Sequence, residues 1–118
     1  MTTAADLVAK AKAAIRESQP QDIAPQLGKL TVVDVREADE FAAGHIPGAI
    51  HIPRGLLEFK VDAHPVLRDR NRRIAMQCQG GGRSALATLA MQELGYTDVV
   101  NLAGGFAAWK AAGLPVET

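Results

Sequence analysis

The sequence predicts a small α/β domain with a mostly parallel central sheet flanked by helices, and three observations predict it. Short, β-branched apolar runs alternate with helix-patterned segments from Leu30 onward, the order that gives parallel strands joined by helical crossovers. The chain has 118 residues, enough for one domain with a real apolar core. A glycine-rich turn, Cys78-Gln79-Gly80-Gly81-Gly82-Arg83-Ser84, joins one apolar run to the strongest helical pattern in the chain. In such sheets, sites form beyond the carboxyl ends of the strands.

Each element has its own signal. Thr3 to Ala14 reads as a first helix, capped by Thr3 with Asp6 three residues on, and Leu7, Val8, Ala11 and Ile15 make one apolar stripe. Ile15–Ser18 is a short extended piece. Pro20 starts a second short helix that stops near Gly28. Residues 1–29 are therefore expected to form a helical extension packed on the domain, which itself occupies 30–118. Leu30–Val35 is the first buried strand and runs into the charged Asp34-Val35-Arg36-Glu37. Ala38–Ala43 is a turn or two of helix closed by Gly44, and His45-Ile46-Pro47-Gly48 is turn chemistry. Ala49–Ile52 is a short strand stopped by Pro53, and Leu56–Val61 is helical. Ala63–Arg73, with Pro65 and four arginines, is surface connection. Arg73–Gln77 is the next strand. Ser84–Leu94 is a helix with Leu86, Leu89 and Ala90 in period, ended by Gly95. Asp98–Leu102 is the last strand. Gly104 and Gly105 turn it into a final helix, Phe106–Ala112, stopped by Gly113 and Pro115.

Composition excludes several function classes. Thirteen basic and thirteen acidic residues cancel, so nothing calls for nucleic acid or an anionic membrane as partner. One cysteine rules out an internal disulfide and fits a reducing compartment. Met1 to Ile15 interleaves Asp6, Lys10 and Lys12 with its apolar residues, so neither a secretory signal nor a membrane span is expected, and a cytoplasmic location is. His45, His51 and His64 lack metal-ligand spacing with Cys78, so no metal is expected, nor any other cofactor.

The chemistry concentrates in the turn. A free thiol titrates near ~8.5, and a helix N-terminus stabilises an anion by roughly 1–2 kcal/mol. At about 1.4 kcal/mol per pH unit, that brings Cys78 to about pH 7–8, with Arg83 adding to the effect. Glycines let the backbone curl so that successive N–H groups converge into an anion-binding nest. Local sequence alone also allows Cys78 as a small buried hydrophobe and the glycines as a plain turn. No Lys-Ser/Thr pair follows the glycines, so this is not a nucleotide phosphate loop, and consecutive glycines are not a dinucleotide fingerprint.

Four segments, in order, carry a resemblance: Val33-Asp34-Val35-Arg36-Glu37 with Glu40-Phe41; Gly44 through Pro53; Cys78 through Ser84; and Asn101 through Trp109 followed by Gly113-Leu114-Pro115. Together they resemble a single-domain member of the rhodanese family of sulfurtransferases over about Leu30 to Val116. The resemblance implies that Cys78 takes a sulfane sulfur from a donor such as thiosulfate. As a persulfide it then passes that sulfur to a thiophilic acceptor, cyanide or a small-molecule or protein thiol. The backbone N–H groups of Gln79, Gly80, Gly81, Gly82, Arg83 and Ser84 would cradle the sulfur, and Arg83 would bind the donor anion. Related phosphatases and arsenate reductases have one more residue between cysteine and arginine and a histidine before the cysteine. Here four residues intervene and Gln77 precedes, which favours sulfur transfer. The resemblance also admits a persulfide relay and a non-enzymatic partner-binding module; the presence of the cysteine disfavours the module.

The supporting residues have simpler readings. Asp34 and Arg36 are expected to form a buried or half-buried ion pair rather than to line the entrance. His45 is expected to hydrogen-bond backbone in its turn. Arg54 lies, by the family's layout, near the mouth, where it would attract an anionic donor or serve an exposed structural role. Arg68 to Arg73 reads as a solvated surface turn, and Trp109 with Phe106 as packing for the last helix.

Overall fold

A computed structural model describes residues Met1–Thr118. Five strands form one sheet in the order β1-β5-β4-β2-β3, with β1 at Glu17–Ser18, β2 at Thr31–Asp34, β3 at Ile50–His51, β4 at Ile74–Gln77 and β5 at Val99–Leu102. Every adjacent pair is parallel, so the sheet is wholly rather than mostly parallel. The helices are α1 (Ala4–Ala14), α2 (Pro20–Ile23), α3 (Ala38–Ala43), α4 (Leu57–Lys60), α5 (Gly82–Glu93) and α6 (Gly105–Ala111). Short 3-10 turns lie at Ala24–Gln26 and Arg54–Leu56. No helix is long and apolar enough to cross a membrane.

Alternation along the strands divides the core in two. Val33, Val35, Ile74 and Met76 face Ala87 and Met91 of α5 and Leu57 of α4. Val32, Ala75 and Leu102 face Ile23 of α2 and Phe106 and Trp109 of α6. Burial on both faces explains why these strands read as continuous apolar runs. Trp109 is fully buried, and its indole N–H donates to the Pro115 carbonyl at 2.7 Å.

The predicted start of α1 is present as a capping box. The Asp6 N–H donates to Thr3 Oγ1 at 3.1 Å, and the Thr3 N–H donates to Asp6 Oδ2 at 2.9 Å. The helix packs on α5, with Ala11 fully buried. Residues before 30 also supply sheet edge β1, whose partner is β5.

Two helices begin earlier than their sequence pattern suggests. Helix α5 starts at Gly82 and α6 at Gly105, each after a glycine in the left-handed region, Gly81 (φ 99°) and Gly104 (φ 73°). A glycine is a poor helix former, but at Gly105 the close approach of two backbones outweighs propensity. A Cβ at Gly105 would sit 2.6 Å from the carbonyl oxygens of both Cys78 and Gln79. At Gly80, by contrast, a Cβ meets open space and φ is not positive. Gly105→Ala is therefore expected to cost at least about 2 kcal/mol in urea unfolding, whereas Gly80→Ala stays within about 0.5 kcal/mol of the parent.

Candidate active site

The carboxyl ends of β2, β4 and β5 converge on one edge of the sheet, and the expected site residues gather there. Cys78 follows β4 directly and is 1% exposed. Its Sγ accepts the Gly81 N–H at 3.1 Å and the Ser84 hydroxyl at 3.3 Å. Ser84 is fully buried in the first turn of α5, and Thr88 donates to its carbonyl one turn on. Burial pushes the Cys78 thiol up. The Ser84 hydroxyl and the backbone N–H groups of Ser84, Gly81 and Gly80 oppose that push and win, leaving the pKa below the ordinary thiol value.

The three glycines are not equivalent, which refines the expected nest. Only Gly81 has positive φ, and it alone of the three meets full hydrogen-bond geometry with the sulfur. Gly82 already belongs to α5. Gln79 is exposed on the outer side of the loop.

Arg83 does not reach the sulfur with a hydrogen bond. Its two terminal nitrogens donate to the two carboxylate oxygens of Glu40, at 2.8 and 3.1 Å. The guanidinium holds the Glu40 carboxyl down to about 2, with help from the Glu37 N–H that the same carboxylate accepts at the start of α3. Glu40 is a site neighbour to which its local sequence assigns no role. Its capping position three residues after Glu37 was readable, but its partner lies 43 positions away.

Asp34 and Arg36 form the buried pair the sequence suggests, 0% and 2% exposed, at 2.8 Å. Arg36 also donates to the Gly44 carbonyl at 2.7 Å and to Gln79 Oε1 at 3.2 Å, and its guanidinium lies 4.4 Å from the Phe106 ring centroid. The pair thus touches the sulfur loop through Gln79. A cleft of about 200 Å³ opens beside it, lined by Arg36, Glu40, Gly44, Gln79, Phe106 and Lys110.

His45 bonds backbone, with Nδ1 2.9 Å from the Phe41 carbonyl, and stacks on the Phe41 ring. Arg54 pairs with Glu58 at 2.9 Å and lines a separate groove along Leu86, Leu89 and Ala90. Within the basic run, Arg70 pairs with Asp62 and Arg73 with Asp98.

A family model for the rhodanese-like domain matches residues 10–112. The chain belongs to the rhodanese-like domain family. A sulfurtransferase of Allochromatium vinosum is 36% identical over 85 residues, covering 72% of this chain and 76% of that protein. The human thiosulfate:glutathione sulfurtransferase is 34% identical over 92 residues, covering 70% and 80%. Among solved structures, a Rhodopseudomonas palustris protein of unknown function, described as a possible tyrosine phosphatase, superposes with a TM-score of 0.91 at 30% identity and covers 99% and 96%. The rhodanese-like match begins inside α1, earlier than the four segments in the sequence indicate. The sulfurtransferase relatives support sulfur transfer as the general chemistry.

The lowered thiol has a direct readout. The rate of Cys78 alkylation by iodoacetamide is expected to stay high as pH falls past the ordinary thiol value of ~8.5, and to drop only below a lower midpoint. Ser84→Ala removes the largest stabilising donor and should move that midpoint up.

Proposed function

We propose that this rhodanese-like domain is a sulfurtransferase that carries a sulfane sulfur on Cys78 as a persulfide. The observation that carries the reading is the placement of one buried thiol, with a lowered pKa, on the backbone and hydroxyl donors of a helix start. The Cys78 thiolate attacks the outer sulfur of a donor such as thiosulfate. An S–S bond to Cys78 forms while the donor's own S–S bond breaks and sulfite leaves with its electron pair. An acceptor nucleophile, cyanide or a thiolate, then attacks the terminal sulfur and takes it, which returns the Cys78 thiolate. The thiolate is pre-formed, so no general base starts the reaction, and covalent transfer in two steps predicts ping-pong kinetics. The Gly81 N–H and the Ser84 hydroxyl hold the negative Sγ of the free thiolate, which is the attacking and the departing form in the two steps.

Arg83 serves the donor anion indirectly in this reading. Glu40 takes both of its terminal nitrogens and balances much of its charge, so what Arg83 adds toward the donor anion is a weakened field. A phosphatase reading has less support. Four residues separate Cys78 from Arg83, and the guanidinium is turned to Glu40 instead of into the loop. Phosphate-ester hydrolysis measured beside thiocyanate formation separates the two. The acceptor is a small thiophile or a thiol, and a relay that hands the sulfur to a protein thiol uses the same two steps.

Intact mass after incubation with thiosulfate is expected to rise by one sulfur, about 32 mass units, and to return on adding cyanide. No adduct, or an adduct on Cys78→Ser, overturns the mechanism. In steady-state assays, Arg83→Ala should raise the KM for thiosulfate roughly fivefold, and Glu40→Gln, which frees the Arg83 charge, should lower it by a similar factor.

A further inference from the structure

We infer that Asn101 is a positioning residue for the sulfur loop, itself held by Glu17 from the edge strand. Asn101 lies in β5 and is fully buried. Its Nδ2 donates to the Gly81 carbonyl at 3.1 Å and to Glu17 Oε2 at 2.9 Å. Both partners are pure acceptors, so the amide orientation is fixed: the nitrogen must face them. The Gly81 carbonyl also accepts the Ala85 N–H at 3.1 Å, the first bond of α5. The oxygen of Gly81 is thereby pinned from two sides, while its N–H is the donor 3.1 Å from Cys78 Sγ.

Gly81 is the hinge of the loop, at φ 99° and ψ −5°, a conformation with no side chain to brace it. The brace comes from Asn101. The backbone adds a second tether, because the Asn101 N–H donates to the Arg16 carbonyl at 2.9 Å. β1 therefore reaches the sulfur through Glu17, Asn101 and Gly81, in that order.

The inference rests on Cys78 as the reacting thiol, but its test reads thiol titration and not sulfur transfer, so the two fail separately. The pH midpoint of iodoacetamide alkylation is measured in the full chain for the parent, Asn101→Ala and Glu17→Ala, with thermal unfolding in parallel. Of the charged groups around the loop, Arg83 is paired with Glu40 and Arg36 with Asp34, and neither variant touches those pairs; Glu17 is itself charged, so Glu17→Ala is read against Glu17→Gln, which loses the same charge. Loosening Gly81 is expected to raise the midpoint by about half a pH unit in Asn101→Ala and by less in Glu17→Ala. Glu17→Gln, which keeps an acceptor oxygen and loses the same charge, should titrate below Glu17→Ala. An unchanged midpoint in a folded Asn101→Ala overturns the inference even if the protein melts earlier, since packing alone lowers stability without moving the titration. Should Asn101→Ala fail to fold, the exposed Glu17 decides: equal midpoints in Glu17→Ala and Glu17→Gln overturn it.

Discussion

The sulfur loop is aimed by the planarity of its own peptide bonds. Phe106 and Ala107, at the start of α6, donate their N–H groups to the carbonyls of Cys78 and Gln79 at 2.8 and 3.0 Å. In a trans peptide the carbonyl and the following N–H point in opposite directions. Pulling the Gln79 carbonyl toward α6 therefore turns the Gly80 N–H away from it, to the side where it helps lower the Cys78 pKa. The close approach that makes this possible requires a residue without Cβ at 105. Thus the glycine pair after β5, which looks like a simple turn, sets the direction of donors that belong to a different loop.

A second layer keeps charge in order. Arg36 satisfies Asp34, Gly44, Gln79 and the face of Phe106 at once, so the end of β2, the α3–β3 turn and α6 share one guanidinium. Because its partners fill the donor fork, the buried charge is compensated, and removing either member would leave the other stranded. Arg83 and Glu40 repeat the scheme at a half-exposed level. Among these pairs the thiolate is stabilised chiefly by dipoles, the N–H and hydroxyl donors, and less by a free cation. Dipoles fixed in a dry environment hold an anion without having to reorganise.

Much of this was legible in the chain. The Thr3–Asp6 box, the alternation of strands and helices, and the strand–turn–helix at Cys78 are local patterns with local causes. The Asp34–Arg36 pair was readable because its members are two residues apart at a strand end. The Cys78 loop stands out by its composition, yet composition treats three glycines alike when Gly81 alone carries the positive φ. What stayed hidden depends on sheet order. Glu40 meets Arg83, Arg36 meets Gln79 and Asn101 meets Gly81 only because β2, β4 and β5 lie side by side. No periodicity within one segment encodes which other segment ends beside it. The early start of α6 was hidden for the same reason: a glycine at a helix start looks unfavourable until the backbone that Gly105 must clear is known.

The braces on Cys78 also have an order in time. Gly81, Ser84, Asn101, Gly105 and Phe106 all follow the cysteine in the chain, as does Glu117, whose backbone bridges His45 beside the Gly44 turn. Synthesis delivers residues from the N-terminus. While β5 and α6 are still inside the ribosome, the Cys78 carbonyl has no α6 to bond and Gly81 has no Asn101. The contacts that orient the loop from outside therefore close last, when β5 and α6 have been released and have docked.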